Sequence, residues 1–95
     1  MSLFTISTQN GKRYAIHSNG RIQRLDMPFT PSDSWRLLGI EHVKRREFIP
    51  FDRISPEMVA SLQLAYKNGK PQYTVRDLDH GTVRIWGNRL RSVTF

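Results

Sequence analysis

The sequence predicts an α+β fold in a single domain spanning 1–95, with more strand than helix. Apolar and polar residues alternate through the first quarter of the chain around Asn10-Gly11 and Asn19-Gly20. Thr30-Pro31-Ser32-Asp33 and Ser55-Pro56-Glu57 each have the hydroxyl, proline and acid order that opens a helix. Alternation resumes after Pro71 and continues around Asp79-His80-Gly81 and Gly87-Asn88. The expected architecture is therefore two antiparallel three-stranded meanders, N-terminal and C-terminal, with a short helix near 31–38 and a longer amphipathic helix near 56–67.

Leu3 to Thr8, Arg13 to His17 and Arg21 to Asp26 form the first meander. Two-residue loops at the Asn-Gly pairs align Phe4, His17 and Ile22 on one face, beside Ile6, Ala15 and Arg24, while Tyr14 and Leu25 share the other. Neither face is wholly apolar, which implies packing on both sides or a longer loop. The first helix carries Trp35 and Leu38 inward and stops at Gly39. Ile40 to Phe51 then reads as one bent strand or two short ones around Lys44-Arg45-Arg46, with Pro50 at an edge because it has no N–H for a ladder. In the second helix Met58, Val59, Leu62, Ala65 and Tyr66 make one apolar stripe ending at Asn68-Gly69. The last three strands are Gln72 to Leu78, Thr82 to Trp86 and Arg89 to Thr94, with Val75, Val83, Ile85 and Leu90 on the core face.

Composition narrows the function classes. The formal net charge is +7, from 15 Lys and Arg against 8 Asp and Glu, and cysteine is absent. Most of the basic residues are arginine, whose planar fork pairs with phosphate and stacks on bases. Without cysteine there is no disulfide framework, no thiolate zinc site and no thiol catalysis. No apolar run approaches the roughly 18 residues of a membrane span and no basic leader precedes one. A cytoplasmic protein, monomeric or dimeric through an edge strand, is expected.

The C-terminal hairpins supply the candidate site. A three-residue loop at Asp79-His80-Gly81 and a two-residue loop at Gly87-Asn88 put Arg76 opposite Arg84 and Arg84 opposite Arg91. Like charges in that arrangement repel unless solvent, a carboxylate or a bound anion relieves them. The same register sets Thr74, Trp86 and Arg89 beside the row, a combination of stacking and phosphate-pairing groups suited to single strands. Lys44, Arg45 and Arg46 form the one basic run, flanked by Glu41 and Glu47, and offer further phosphate contacts. Asp77, Asp79 and His80 hold the ligand types for a metal or an acid–base pair, but Asp-His-Gly is equally the chemistry of a tight turn. His17 and His42 stand alone, and no nucleophile elbow or phosphate loop occurs.

Trp35-Arg36-Leu37, followed by Phe48 and by Phe51-Asp52-Arg53-Ile54, resembles the Trp-Tyr-Leu and Asp-Arg-Ile signatures of WYL domains. Arg36 stands where that family has tyrosine, and the second helix and final hairpins lie outside the pattern. The resemblance implies a β-rich, ligand-binding domain and carries no site residues across.

Together these features predict a small non-catalytic binding protein, without cofactor or metal. It would contact nucleic acid through Arg76, Arg84, Trp86, Arg89 and Arg91, with Lys44, Arg45 and Arg46 as auxiliaries. The alternative is a protein-interaction module, a regulator or inhibitor of a larger complex, that presents the same arginine and tryptophan surface to an acidic partner.

Overall fold

The computed structural model describes residues 2–26, 33–64 and 70–95. In chain order they form β1 (Ser2–Thr8), β2 (Arg13–His17), β3 (Ile22–Arg24), β4 (Arg36–His42), β5 (Phe48–Pro50), a 3-10 turn (Phe51–Arg53), α1 (Pro56–Leu62), β6 (Tyr73–Asp79) and β7 (Thr82–Thr94). The strands make one seven-stranded antiparallel sheet in the order β3-β2-β1-β7-β6-β4-β5. The α+β expectation of two meanders with two helices is thereby corrected to a single sheet with one short helix among the described residues.

The turns explain most of the difference. Asn10-Gly11 and Asn19-Gly20 both sit in three-residue loops. Thr8 N donates to Lys12 O and Gly11 N to Thr8 O, and His17 N donates to Arg21 O and Gly20 N to His17 O. Only the glycines take positive φ, +87° at Gly11 and +83° at Gly20. The extra loop residue slips the register by one, pairing Phe4 with Ile16, Ile6 with Tyr14 and Ile16 with Ile22. A one-residue slip exchanges the faces of a strand, and this one gathers Phe4, Ile6, Ile16 and Ile22 into the core.

The opposite exchange occurs between β6 and β7. Asp79 pairs with Thr82, leaving a two-residue turn in which His80 (φ 51°) and Gly81 (φ 79°) are both left-handed, as a type I′ hairpin requires. Gly87-Asn88 makes no turn. Gly87 is not among the glycines of positive φ, and β7 runs on past it to pair Leu90 with Thr8 and Thr94 with Thr5. The register of β7 against β6 shifts between Thr74 and Arg76, and the Thr74 hydroxyl donates to Trp86 O at 2.8 Å across that irregularity. The third strand expected at the C-terminus is thus the second half of β7, spliced onto β1. Val83 and Ile85, expected in the core, are each 59% exposed.

The helix expected near 31–38 is absent over its described part. Trp35 immediately precedes β4, and Arg36 to Leu38 belong to that strand; residues 31 and 32 lie outside the described residues. In α1 the Ser55 hydroxyl caps Met58 N at 3.2 Å, Pro56 occupies the first turn, and Gln63 ends the helix in a left-handed conformation (φ 52°). The helix is therefore shorter than 56–67; its expected continuation through Ala65 to Lys67 and the stop at Asn68-Gly69 fall outside the described residues. Met58, Val59 and Leu62 lean on the core, and Leu64 beyond them is buried.

The sheet curls until β3 meets β4. Ile22 N donates to Trp35 O (3.1 Å) and Leu37 N to Gly20 O (2.8 Å), around a bridge between Arg21 and Arg36. Ile6, Ile16, Ile22, Leu37, Ile40, Val75 and Leu90 fill the space so enclosed.

Candidate functional site

Alternation along β6 turns Tyr73, Val75 and Asp77 inward, so a carboxylate ends the row of core side chains. Asp77 has no exposed surface. A bare buried carboxylate costs several kcal/mol, and here three side chains meet it. The observed register sets Arg84 opposite Asp77, and the guanidinium donates Nε to Oδ1 (3.1 Å) and Nη2 to Oδ2 (2.9 Å). Oδ2 also accepts the indole N–H of Trp35 (2.5 Å) and of Trp86 (2.8 Å). The hydrogen bonds to Asp77 raise the Arg84 pKa above its already high value.

Tyr14 completes an aromatic cluster over this carboxylate. Its ring centroid is 4.7 Å from Trp86 and 5.9 Å from Trp35, and the two indoles are 6.3 Å apart. Burial pushes the Tyr14 hydroxyl pKa up. Trp35 and Tyr14 are buried, whereas Trp86 keeps part of its surface open. An aromatic box over a carboxylate would ordinarily hold a cation. The chain's own Arg84 already fills that role, its guanidinium carbon 6.0 Å from the Trp35 ring centroid.

Above the cluster opens a cavity of about 310 Å³, lined among others by Asn10, Lys12, Tyr14, Arg84, Trp86 and Asn88. A second cavity of about 270 Å³ is lined by Gln9, Val43, Lys44, Lys70, Pro71, Gln72 and Arg89. Gln9 and Arg89, which both line the second cavity, are joined by a hydrogen bond from Gln9 N to Arg89 O at 2.9 Å, and their chain neighbours Asn10 and Asn88 line the first. Together they present Lys12, Arg84, Lys44, Lys70 and Arg89 against one carboxylate, Asp77, which Arg84 neutralises. Lys44 is positioned by His42, whose Nδ1 accepts the backbone N–H groups of Lys44 (3.3 Å) and Arg45 (3.0 Å).

The residues singled out in the sequence are thus divided. Arg84 and Trp86 share the first cavity, and Lys44 and Arg89 line the second. Arg76 lies on the other face of β6, opposite Ile85 rather than Arg84, paired with Glu41 at 2.8 Å and 5.2 Å from the Phe48 centroid. Arg46 joins it on Glu41 at 3.4 Å. Arg45 is exposed and lines neither cavity, and Arg91 follows the buried Leu90 and so faces the other way. The expected row of Arg76, Arg84 and Arg91 does not form. Two of its members, Arg76 and Arg84, instead have carboxylates beside them.

Asp77 and Asp79 do not gather around His80 as a metal site. Asp77 is consumed as described, while Asp79 accepts from Ser34 Oγ (3.3 Å) and lies 3.5 Å from both His80 and Arg84. Among the described residues no three His, Asp or Glu side chains converge. Sequence reading missed Tyr14, Trp35, Lys12 and Lys70 as lining residues. Tyr14 was recoverable from the three-residue loop, which places it beside Ile6; Trp35 was hidden by its assignment to a helix, and Lys12 and Lys70 carry no local signal. Comparison of the chain with known protein families, curated proteins and solved structures yields no match, for the WYL pattern or any other.

No helix among the described residues is long and apolar enough to cross a membrane.

Proposed function

We propose that this protein binds nucleic acid, without catalysis, along the surface that carries the two cavities. The observation that carries the reading is charge set beside aromatic surface: Lys12 and Arg84 line the cavity of a partly open indole, three more cations line the second cavity, and the one carboxylate among the lining residues is already neutralised. Phosphates would lie along Lys44, Lys70, Arg89 and Lys12, and Trp86 with Tyr14 behind it would carry a base, a contact worth roughly 1–3 kcal/mol. The cytoplasm, where a chain without cysteine loses nothing, is the compartment we assign.

Fluorescence anisotropy of labelled oligonucleotides at two salt concentrations tests this reading. Affinity should fall steeply as salt rises. Replacing Lys44, Lys70 and Arg89 together by Gln should flatten the log–log salt slope by about 2, at roughly 0.7 per phosphate on a single strand. Arg53→Gln, on the 3-10 turn away from both cavities, should leave it unchanged. Absence of binding at low salt would remove the reading.

The second reading, a protein partner, is favoured by Val83 and Ile85, each 59% exposed on the outer face of β7. Such a partner would bind with little dependence on salt and would be released by Ile85→Asp rather than by the triple Gln variant.

A further inference from the structure

The first cavity has an unusual wall. Arg84, Ile85, Trp86, Gly87 and Asn88, five consecutive residues, all line it, yet successive side chains of a strand point to opposite faces. A run of this kind can border one cavity only by presenting the edge of the strand. The sheet shows why the edge is open. β1 pairs with β7 from Thr5↔Thr94 as far as Thr8↔Leu90, and after the Gln9–Arg89 hydrogen bond the chain turns away into the loop at Gly11. From Thr82 to Asn88, β7 is therefore paired on its β6 side alone among the described residues.

The direction of the free backbone groups follows from the hairpin. Asp79 and Thr82 flank a two-residue turn and exchange their hydrogen bonds with each other, as do Asp77 and Arg84 two residues on. The intervening residues alternate outward, so Val83 and Ile85 direct N–H and C=O away from β6. Ile85 thus offers a donor and an acceptor beside the Trp86 indole, within a cavity rimmed by Lys12 and Arg84.

Donor and acceptor in one plane, an aromatic face beside them and cations at the rim together match an unpaired nucleobase with its phosphate. In a duplex the base edges are already paired and the faces already stacked. We infer that the cavity seats a single unpaired base, stacked on Trp86 and hydrogen-bonded along its edge to the open backbone of β7, while the adjoining phosphates run into the Lys44, Lys70 and Arg89 cavity. The inference rests on the nucleic-acid reading above and adds to it the state of the ligand: single-stranded, with its base read by main chain.

The test compares three labelled probes of equal length, an oligothymidine strand, an abasic strand and a duplex, and follows amide hydrogen exchange of the protein with and without the first. The oligothymidine strand should bind about tenfold or more tighter than the abasic strand and the duplex, as loss of one stacked base predicts. The Ile85 amide should exchange fast in the free protein and slowly in the complex. Ile85→Pro removes that N–H at a position where the ladder to β6 does not use it, and should weaken oligothymidine binding to the abasic level without changing the salt slope. Equal binding of all three probes with no protection at Ile85 overturns the inference and leaves phosphate-only binding, with the broader reading intact. If no probe binds, both readings fall; if an acidic extended peptide protects Ile85 instead, the open edge serves strand addition.

Discussion

Asp77 accepts four hydrogen bonds from three side chains with no access to solvent, and its replacement separates two roles. Asp77→Ala leaves two indole N–H groups without an acceptor and the Arg84 guanidinium with only Asp79, 3.5 Å away, as counter-charge. The expected cost is about 3 kcal/mol or more, read as a lower urea midpoint. Asp77→Asn keeps an acceptor oxygen and should lose less. His42 is the other buried polar centre of consequence. Burial first, then the neighbouring Arg45, hold its pKa below the ordinary imidazole value, with Glu47 opposing and Lys44 adding a lesser push downward; its ring packs edge-on to Tyr73 at 5.0 Å. The neutral ring accepts the Lys44 and Arg45 amides, so the folded protein resists a proton that the unfolded chain takes up near about pH 6.5. The stability from this site is complete above that pH and is lost as pH falls below it toward the depressed folded-state value. Urea midpoints measured between pH 7 and pH 5 should decline in the wild type and decline less in His42→Asn, whose amide oxygen can accept the same bonds.

At the scale of elements, the strands are more legible than the turns that join them. Alternation alone locates β1, β2 and β6 and the inward direction of Val75. The dipeptide signals do not fix loop length, because Asn-Gly serves a three-residue loop with only its glycine left-handed as readily as a type I′ turn. Each loop error of one residue then moved a whole face, hiding the Asp77–Arg84 pair behind an expected Arg76–Arg84 contact. Nothing local in Gly87-Asn88 distinguishes a turn from a strand irregularity, and the pairing of β7 with β1 is a long-range fact. His80 holds φ at 51° in its turn, a conformation that costs an L-residue about 1–2 kcal/mol. His80→Gly is therefore expected to raise stability by up to about 1 kcal/mol, checked by the shift in thermal midpoint. Gly39 shows the reverse constraint. A Cβ there would meet Ile49 O and would lie 2.6 Å from Phe48 Cζ, so Gly39→Ala should push β5 off β4 at a cost of about 2–4 kcal/mol.

For the whole molecule, closure of the curled sheet depends on two backbone hydrogen bonds between segments distant in sequence, Ile22 to Trp35 and Leu37 to Gly20. Amides of Ile22 and Leu37 should exchange as slowly as those of the central strands; fast exchange there would mean that the sheet opens as a ribbon. Within the net charge of +7, Glu41 holds Arg46 and Arg76, Asp77 holds Arg84 and Asp26 holds Arg24 in ion pairs, and Lys12, Lys44, Lys70 and Arg89 line the cavities. The two tryptophans of the chain both end on one carboxylate, one arriving from the start of β4 and the other from β7. All indole emission therefore leaves the protein from a single spot, and the two chromophores are close enough to couple in the near-ultraviolet. A circular-dichroism couplet would then report, without any label, whether those two strands remain together, and a quencher admitted to the cavity would dim both at once.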